Sequence, residues 1–347
     1  MENIYSKKYF AASNSAEGFV NYFPQIFSRQ CCSRVYVIKG GPGTGKSRFM
    51  REVANEAEGR GLTVKYYYCS SDAESLDGVI IEELRLGILD GTAPHVYEPS
   101  LVGVREQIIN FGDFWDERKL AEHLSEIEEL SAKKSASYQK AYNLLAAYGK
   151  ILLAEESLVY PCVNKKKLSG AVSRLLHKMP ERNSPTEEIA LCRAVGMNGK
   201  SKLDTYENNA NMLFTVSDSY RASHFFINEI AKAARERKMS FAISYDPVMP
   251  TRADAICLCD AGVTFVTGDF GERKINIKRF IDESALKSDK EQIKRLESAA
   301  KNLESLIIES FETVKEYHFK LEKIYMSAMD FEKKERYTEN FIKKIFK

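Results

Sequence analysis

Eight consecutive residues, Gly40-Gly41-Pro42-Gly43-Thr44-Gly45-Lys46-Ser47, bring four glycines, a lysine and a hydroxyl into one short loop. They match the spacing G-x-x-x-x-G-K-[ST] in full. Glycines let the backbone curl so that several N–H groups point at one phosphate, and a helix beginning there adds its partial positive charge. The Lys46 ammonium is suited to the β- and γ-phosphates of a nucleoside triphosphate, and the Ser47 hydroxyl to its Mg²⁺.

Phosphate chemistry also needs acids. Leu84-Arg85-Leu86-Gly87-Ile88-Leu89-Asp90 reads as an alternating strand ending in a carboxylate. At the carboxyl end of a neighbouring parallel strand, Asp90 would join the Mg²⁺ shell. The next residues are Gly91-Thr92-Ala93-Pro94-His95, so no glutamate follows to activate a water, and the hydrolytic base stays open. Asp72 and Asp77 are candidates to orient the nucleophile. Asp72, with Glu74 after it, equally reads as a helix N-cap, and His95 as a loop residue beside the phosphates or away from them.

Elements in the right order must hold these groups. Val35–Lys39 has the β-branched and aromatic composition of a buried strand, and Thr63–Tyr68 reads as another. Between them Phe49, Met50, Val53 and Ala57 recur at helical spacing, with Gly59 and Gly61 as the stop. The expected fold class is α/β, with parallel sheets.

The pattern then repeats. A shift of 177 pairs Phe49 with Phe226, Glu52 with Glu229, Tyr68 with Tyr245, Asp77 with Asp254 and Gly91 with Gly268, without a gap from Val35 to Gly91. Hydrophobic runs match under the same shift, so two tandem domains of one kind are expected. The second lacks the phosphate chemistry. Ser217, Asp218, Tyr220, Ala222, Ser223 and His224 stand for Gly40, Gly41, Gly43, Gly45, Lys46 and Ser47, and Thr267 for Asp90. This half is expected to be a structural partner that does not take Mg-ATP, with Arg221, Arg252 or Arg273 available to reach the first loop.

Each half ends in helical sequence. Ile293, Leu296, Ala300, Leu303, Ile307, Val314, Tyr317, Leu321, Ile324 and Ala328 follow a heptad, broken at Ser310. A helix of about 40 residues, on the order of 60 Å long, follows. Leu120, Leu124 and Ile127 begin a similar seam, which lapses near Ser131–Lys134 and resumes at Tyr138, Leu145 and Leu152. These helices read as a hairpin packed on their own domain or as a coiled coil that captures a partner or a second copy. The organisation expected is a nucleotide-binding domain with its helices at 1–160, a linker with one short helix at 161–186, and the degenerate domain at 187–347.

Bulk properties agree with a globular chain. Of its 347 residues, 44% are hydrophobic and 29% charged, and the net charge is +2, so no global field favours nucleic acid or anionic lipid. No run approaches the roughly 20 apolar residues of a membrane span, and the start lacks the apolar stretch of a secretory signal. Seven cysteines without zinc-site spacing suit reduced thiols, and a cytoplasmic location is expected.

Ala16-Glu17-Gly18-Phe19, the Gly40–Ser47 loop, Cys69-Ser70-Ser71-Asp72, Leu76–Ile81, Asp90–His95 and Met329-Asp330-Phe331 together resemble a little-characterised bacterial family of duplicated P-loop ATPases. The resemblance implies ATP binding and ATPase activity. Relatives in that family often keep a working loop in both halves, from which the second half here departs. Three readings stand: an ATPase with one competent loop, a small-molecule kinase, and a nucleotide-dependent sensor or scaffold without turnover.

Overall fold

The computed structural model describes residues 7–93 and 96–347; His95 and Pro94 lie outside the described residues. In the first half β1 (Lys8–Phe10) leads to a hairpin of β2 (Ala12–Ser15) and β3 (Gly18–Asn21), then the short α1 (Phe23–Ile26). β4 (Arg34–Lys39) enters the glycine loop, and α2 (Lys46–Gly59) leaves it. β5 (Val64–Tyr68), β6 (Leu76–Ile81), β7 (Leu86–Asp90) and β8 (Glu106–Asn110) complete a six-stranded sheet in the order β1-β5-β6-β7-β4-β8. β4 is sandwiched on both faces. Tyr36 and Ile38 join the core under α2, while Val35 and Val37 join the core against Phe10, Phe23 and Phe27. Successive side chains of a strand alternate faces, so a run apolar at every position is what a doubly covered strand requires.

The sheet is mixed, which corrects the expectation of parallel sheets. β6 runs antiparallel to both β5 and β7, while β4 pairs in parallel with β7 and β8. The links into and out of β6 are short, and a parallel return needs a crossover of a dozen residues or more. Nor does β7 alternate in burial: Leu86 to Leu89 are all buried.

The second half retraces this path. β9 (Glu187–Ile189), the hairpin β10 (Arg193–Gly196) and β11 (Gly199–Lys202), and α6 (Thr205–Asn208) precede β12 (Met212–Val216) and α7 (Ser223–Glu236). β13 (Phe241–Tyr245), β14 (Ala253–Leu258), β15 (Val263–Thr267) and β16 (Lys274–Ile275) follow, and the sheet order is β16-β12-β15-β14-β13-β9. With β9 in the role of β1 and β16 in that of β8, the two orders are the same. α7, β13, β14 and β15 begin and end where the shift of 177 places α2, β5, β6 and β7.

The helical extensions are exchanged between halves. α3 (Glu117–Glu122) precedes α4 (Leu124–Val159), and α8 (Lys290–Ser327) is its counterpart. α4 continues unbroken through Ser131–Lys134, where the apolar seam lapses. Tyr138 of α4 meets Phe311 of α8, and the Tyr148 hydroxyl donates to Glu304, so the pair runs antiparallel. The long helices thus pair with each other across the halves, where a hairpin within each domain was one expectation. After them come α5 (Lys165–Leu176), in the stretch expected to link the halves, and α9 (Phe331–Ile345). Leu168, Val172 and Leu176 of α5 are buried in the second half's core; Phe341 of α9 is buried in the first half's. Matching backbone bonds fix the two crossings. Asp330 N–H donates to Phe114 O (2.7 Å) and Asp116 N–H to Ala328 O (2.8 Å), as Asn164 N–H does to Phe280 O (2.7 Å) and Asp282 N–H to Cys162 O (2.8 Å). Among the described residues, no helix is long and apolar enough to cross a membrane.

Candidate functional site

The glycine loop joins the carboxyl end of β4 to the start of α2. Gly43 and Gly45 adopt left-handed backbone angles, φ +69° and +81°, which turn the chain into the first helical N–H groups at little cost only for glycine. The Lys46 ammonium bends back over the loop, donating to Gly40 O (2.9 Å) and Gly41 O (2.7 Å), and stands 3.4 Å from Asp90 Oδ2. Asp90 lies opposite Ile38 on the parallel neighbour of β4, so β7 delivers its carboxylate to the same end of the sheet. Its other oxygen accepts from Thr92 N–H at 2.8 Å, and the Thr92 hydroxyl donates to Gly40 O at 3.0 Å, tying the strand end to the loop. Thr44 donates to Gly41 O at 2.9 Å, and Pro42, between two glycines, adds no N–H of its own. The Ser47 hydroxyl accepts from Leu76 N–H at 3.0 Å.

That bond brings in the next acids. Because β6 runs antiparallel, its first residues lie at the crevice end, and Asp77 there is only 3% exposed. A hydrogen bond links it to Cys69, and burial, reinforced by Asp77, pushes that thiol well above its usual range. Asp72 begins a turn, not a helix as an N-cap would. It accepts from Glu74 N–H (3.3 Å) and the Ser75 hydroxyl (2.6 Å), and Asn198 of the second half's hairpin donates to it at 3.3 Å.

Sequence reasoning missed the roof. The last turns of α8 cross from the second half to the first loop. A Cβ at Gly43 would lie 2.7 Å from Glu322 Cγ and 2.8 Å from Glu322 O, and one at Gly41 about 3.0–3.1 Å from the rings of Tyr325 and Trp115. Glu322 shares the field of Lys46 and Asp72; burial raises its carboxyl above the ordinary range, with Asp72 adding to the rise and Lys46 opposing it. One turn earlier, burial and then Lys134 of α4 push the His318 imidazole down to about 4, so it is neutral near pH 7. Burial and Lys46 lower the Lys134 ammonium in turn. With the helices placed, the displacement that superposes α5 on α9 takes Glu156 of α4, 3.5 Å from His224 at the start of α7, to Glu322.

In the second half the loop has become a 3₁₀ turn with Tyr220 and Arg221 left-handed. Arg221 Nε lies 3.1 Å from Glu155, and Arg252 2.5 Å from Glu156. Both therefore stay in the crevice of their own half, and neither reaches the first loop as an arginine finger would. Arg273 is exposed beside β16. Searches with models of known protein families, among curated proteins and among solved structures found no match to this chain.

Proposed function

We propose that this chain binds Mg-ATP at Gly40–Ser47 and hydrolyses it with one competent loop, as the resemblance to duplicated P-loop ATPases implies. The observation that carries the reading is the placement of Lys46 over a glycine loop, 3.4 Å from a carboxylate at the end of the adjoining parallel strand. A left-handed glycine nest at a helix start is the backbone shape that wraps a phosphate. On binding, the Lys46 ammonium would exchange the Gly40 and Gly41 carbonyls for phosphate oxygens. Mg²⁺ arriving with the nucleotide neutralises phosphate charge, and the Ser47 hydroxyl and Asp90 carboxylate are the oxygen donors that suit it.

For the nucleophilic water, Glu322 joins Asp72 and Asp77 as a candidate. Its raised proton affinity and its place against Gly43 suit a group that orients a water and takes up its proton. Asp72 is engaged by three donors within its turn and from Asn198, which makes it a wall of the site more than a base. Because Glu322 comes from the second half, hydrolysis would couple the loop to the α4–α8 pair.

Single-turnover hydrolysis of Mg-ATP by the wild type, Lys46→Ala and Glu322→Gln tests the proposal. Phosphate release that vanishes in Lys46→Ala and slows by about 10²-fold or more in Glu322→Gln is expected. Binding without release in the wild type would reject the hydrolase and favour the kinase or sensor readings.

A further inference from the structure

The second half's crevice has not collapsed with the loss of its phosphate loop. A cavity of about 380 Å³ occupies it, within the range of small-metabolite sites. Its floor is polar. Asp254, the repeat partner of Asp77, lines it at 4% exposure, with only the Ser244 hydroxyl and the Arg193 guanidinium, among the described residues, as side-chain partners for its carboxylate. Arg193 Nε stands 3.4 Å away, and that guanidinium also donates to Thr267 O at 2.9 Å. By hairpin register Arg193 takes the place of Ala12 in the first half, so the first crevice has no counterpart of this cation at that position. Arg221 presents a second guanidinium, a third exposed and held through its Nε by Glu155.

The roof is apolar: Tyr148 and Leu152 of α4, Ile307 of α8, and Val195 and Val248. Cations and carboxylates line the floor in near balance. Asp218, at the position of Gly41, meets a polyphosphate with like charge, which excludes the ligand of the first loop. A buried carboxylate can accept about four hydrogen bonds, and with so few protein partners it has lone pairs left for a ligand N–H group. Two partly free guanidinium groups call for an acid on the same molecule.

We propose that this crevice binds a small zwitterionic metabolite of the amino-acid class, its ammonium on Asp254, its carboxylate on Arg193 and Arg221, and its apolar body under Tyr148 and Leu152. The second half is then a ligand-binding module in its own right. This assignment stands apart from the nucleotide reading of the first loop.

The test is calorimetric titration of the full chain with the standard L-amino acids. For each binder, the corresponding amine without the carboxylate and acid without the amine are titrated too. At least one amino acid is expected to bind, and removing either charged group should weaken it about tenfold or more. Asp254→Asn and Arg193→Gln should each cause a similar loss, the second serving if the first does not fold. Lys46→Ala should leave this binding unchanged, and Asp254→Asn should leave Mg-ATP binding unchanged, which separates the two sites. A panel without binders at about 1 mM, or binding that survives both crevice substitutions, would overturn the assignment.

Discussion

Replacing Phe341 by alanine tests the exchange of helices between the halves. Its ring, 5% exposed, sits between Tyr36 at a centroid distance of 4.8 Å and Phe49 at 5.0 Å. Tyr36 is on β4 and Phe49 on α2, the two elements that flank the glycine loop, whereas Phe341 lies near the far end of the chain. Truncating a buried phenylalanine costs about 3–5 kcal/mol through lost transfer energy and the cavity left behind. Three aromatic pairs disappear with it, the third to Tyr337 of α9 at 6.3 Å, at about 0.5–1.5 kcal/mol each beyond area, which favours the upper half of that range. A loss of about 4 kcal/mol is expected, a large share of the roughly 5–15 kcal/mol typical of a folded domain. Guanidinium unfolding followed by far-ultraviolet circular dichroism, and by fluorescence of the single tryptophan, Trp115, measures it. Phe319→Ala, at a side chain 39% exposed on α8, is the control and should cost under about 1 kcal/mol. If Phe341→Ala matched that control, α9 would not be seated on α2, and the exchanged architecture would be wrong.

Gly43→Ala should be among the most damaging changes in the loop. It forces a side chain into a left-handed angle at about 1–2 kcal/mol, and its Cβ would meet the Glu322 carbonyl at 2.8 Å. Weaker nucleotide binding by about tenfold or more and a lowered melting temperature are expected from titration and thermal melts. Asp254 gives a pH test. Burial lifts its carboxyl from 3.8 to about 6, Arg193 opposing the rise and Asp246 adding to it. The folded state therefore holds the proton more tightly than the unfolded chain, and this group's contribution to stability falls as pH rises from about 4 to 6. At about 1.36 kcal/mol per pH unit the ceiling is on the order of 3 kcal/mol. The stability of Asp254→Asn relative to wild type should rise across that window in denaturant titrations; a flat difference would refute the buried, ionisable carboxylate.

Much of this arrangement was legible residue by residue. The run Val35–Lys39, the loop and the periodic Phe49, Met50, Val53 and Ala57 each carry a local signature, and strand, loop and helix appear in that order. The shift of 177 held because matched elements of equal length form equal cores. The direction of β6 was less visible, since an apolar run is the same read either way and only the short links on both sides betray it. The hairpins β2–β3 and β10–β11 lack a long apolar period, and Asn14 and Arg193 give no strand signal of their own. Least legible were the partners of the long helices. A heptad announces a buried face without saying which surface covers it, so His318 and Glu322 could not be connected to a loop some 270 residues earlier. The same gap hid the crevice around Asp254, whose walls come from six separate segments of the chain.

The central claim is that the loop at Gly40–Ser47 takes Mg-ATP through Lys46. Trp115, beside the position a Gly41 side chain would fill and 5.5 Å from Tyr325, is a built-in reporter. Titrating wild type and Lys46→Ala with Mg-ATP and following its emission is the most direct measurement. A saturable change in the wild type, weakened at least about tenfold by loss of one charge-assisted contact set, is what the account predicts. Equal affinity in the two proteins would contradict it.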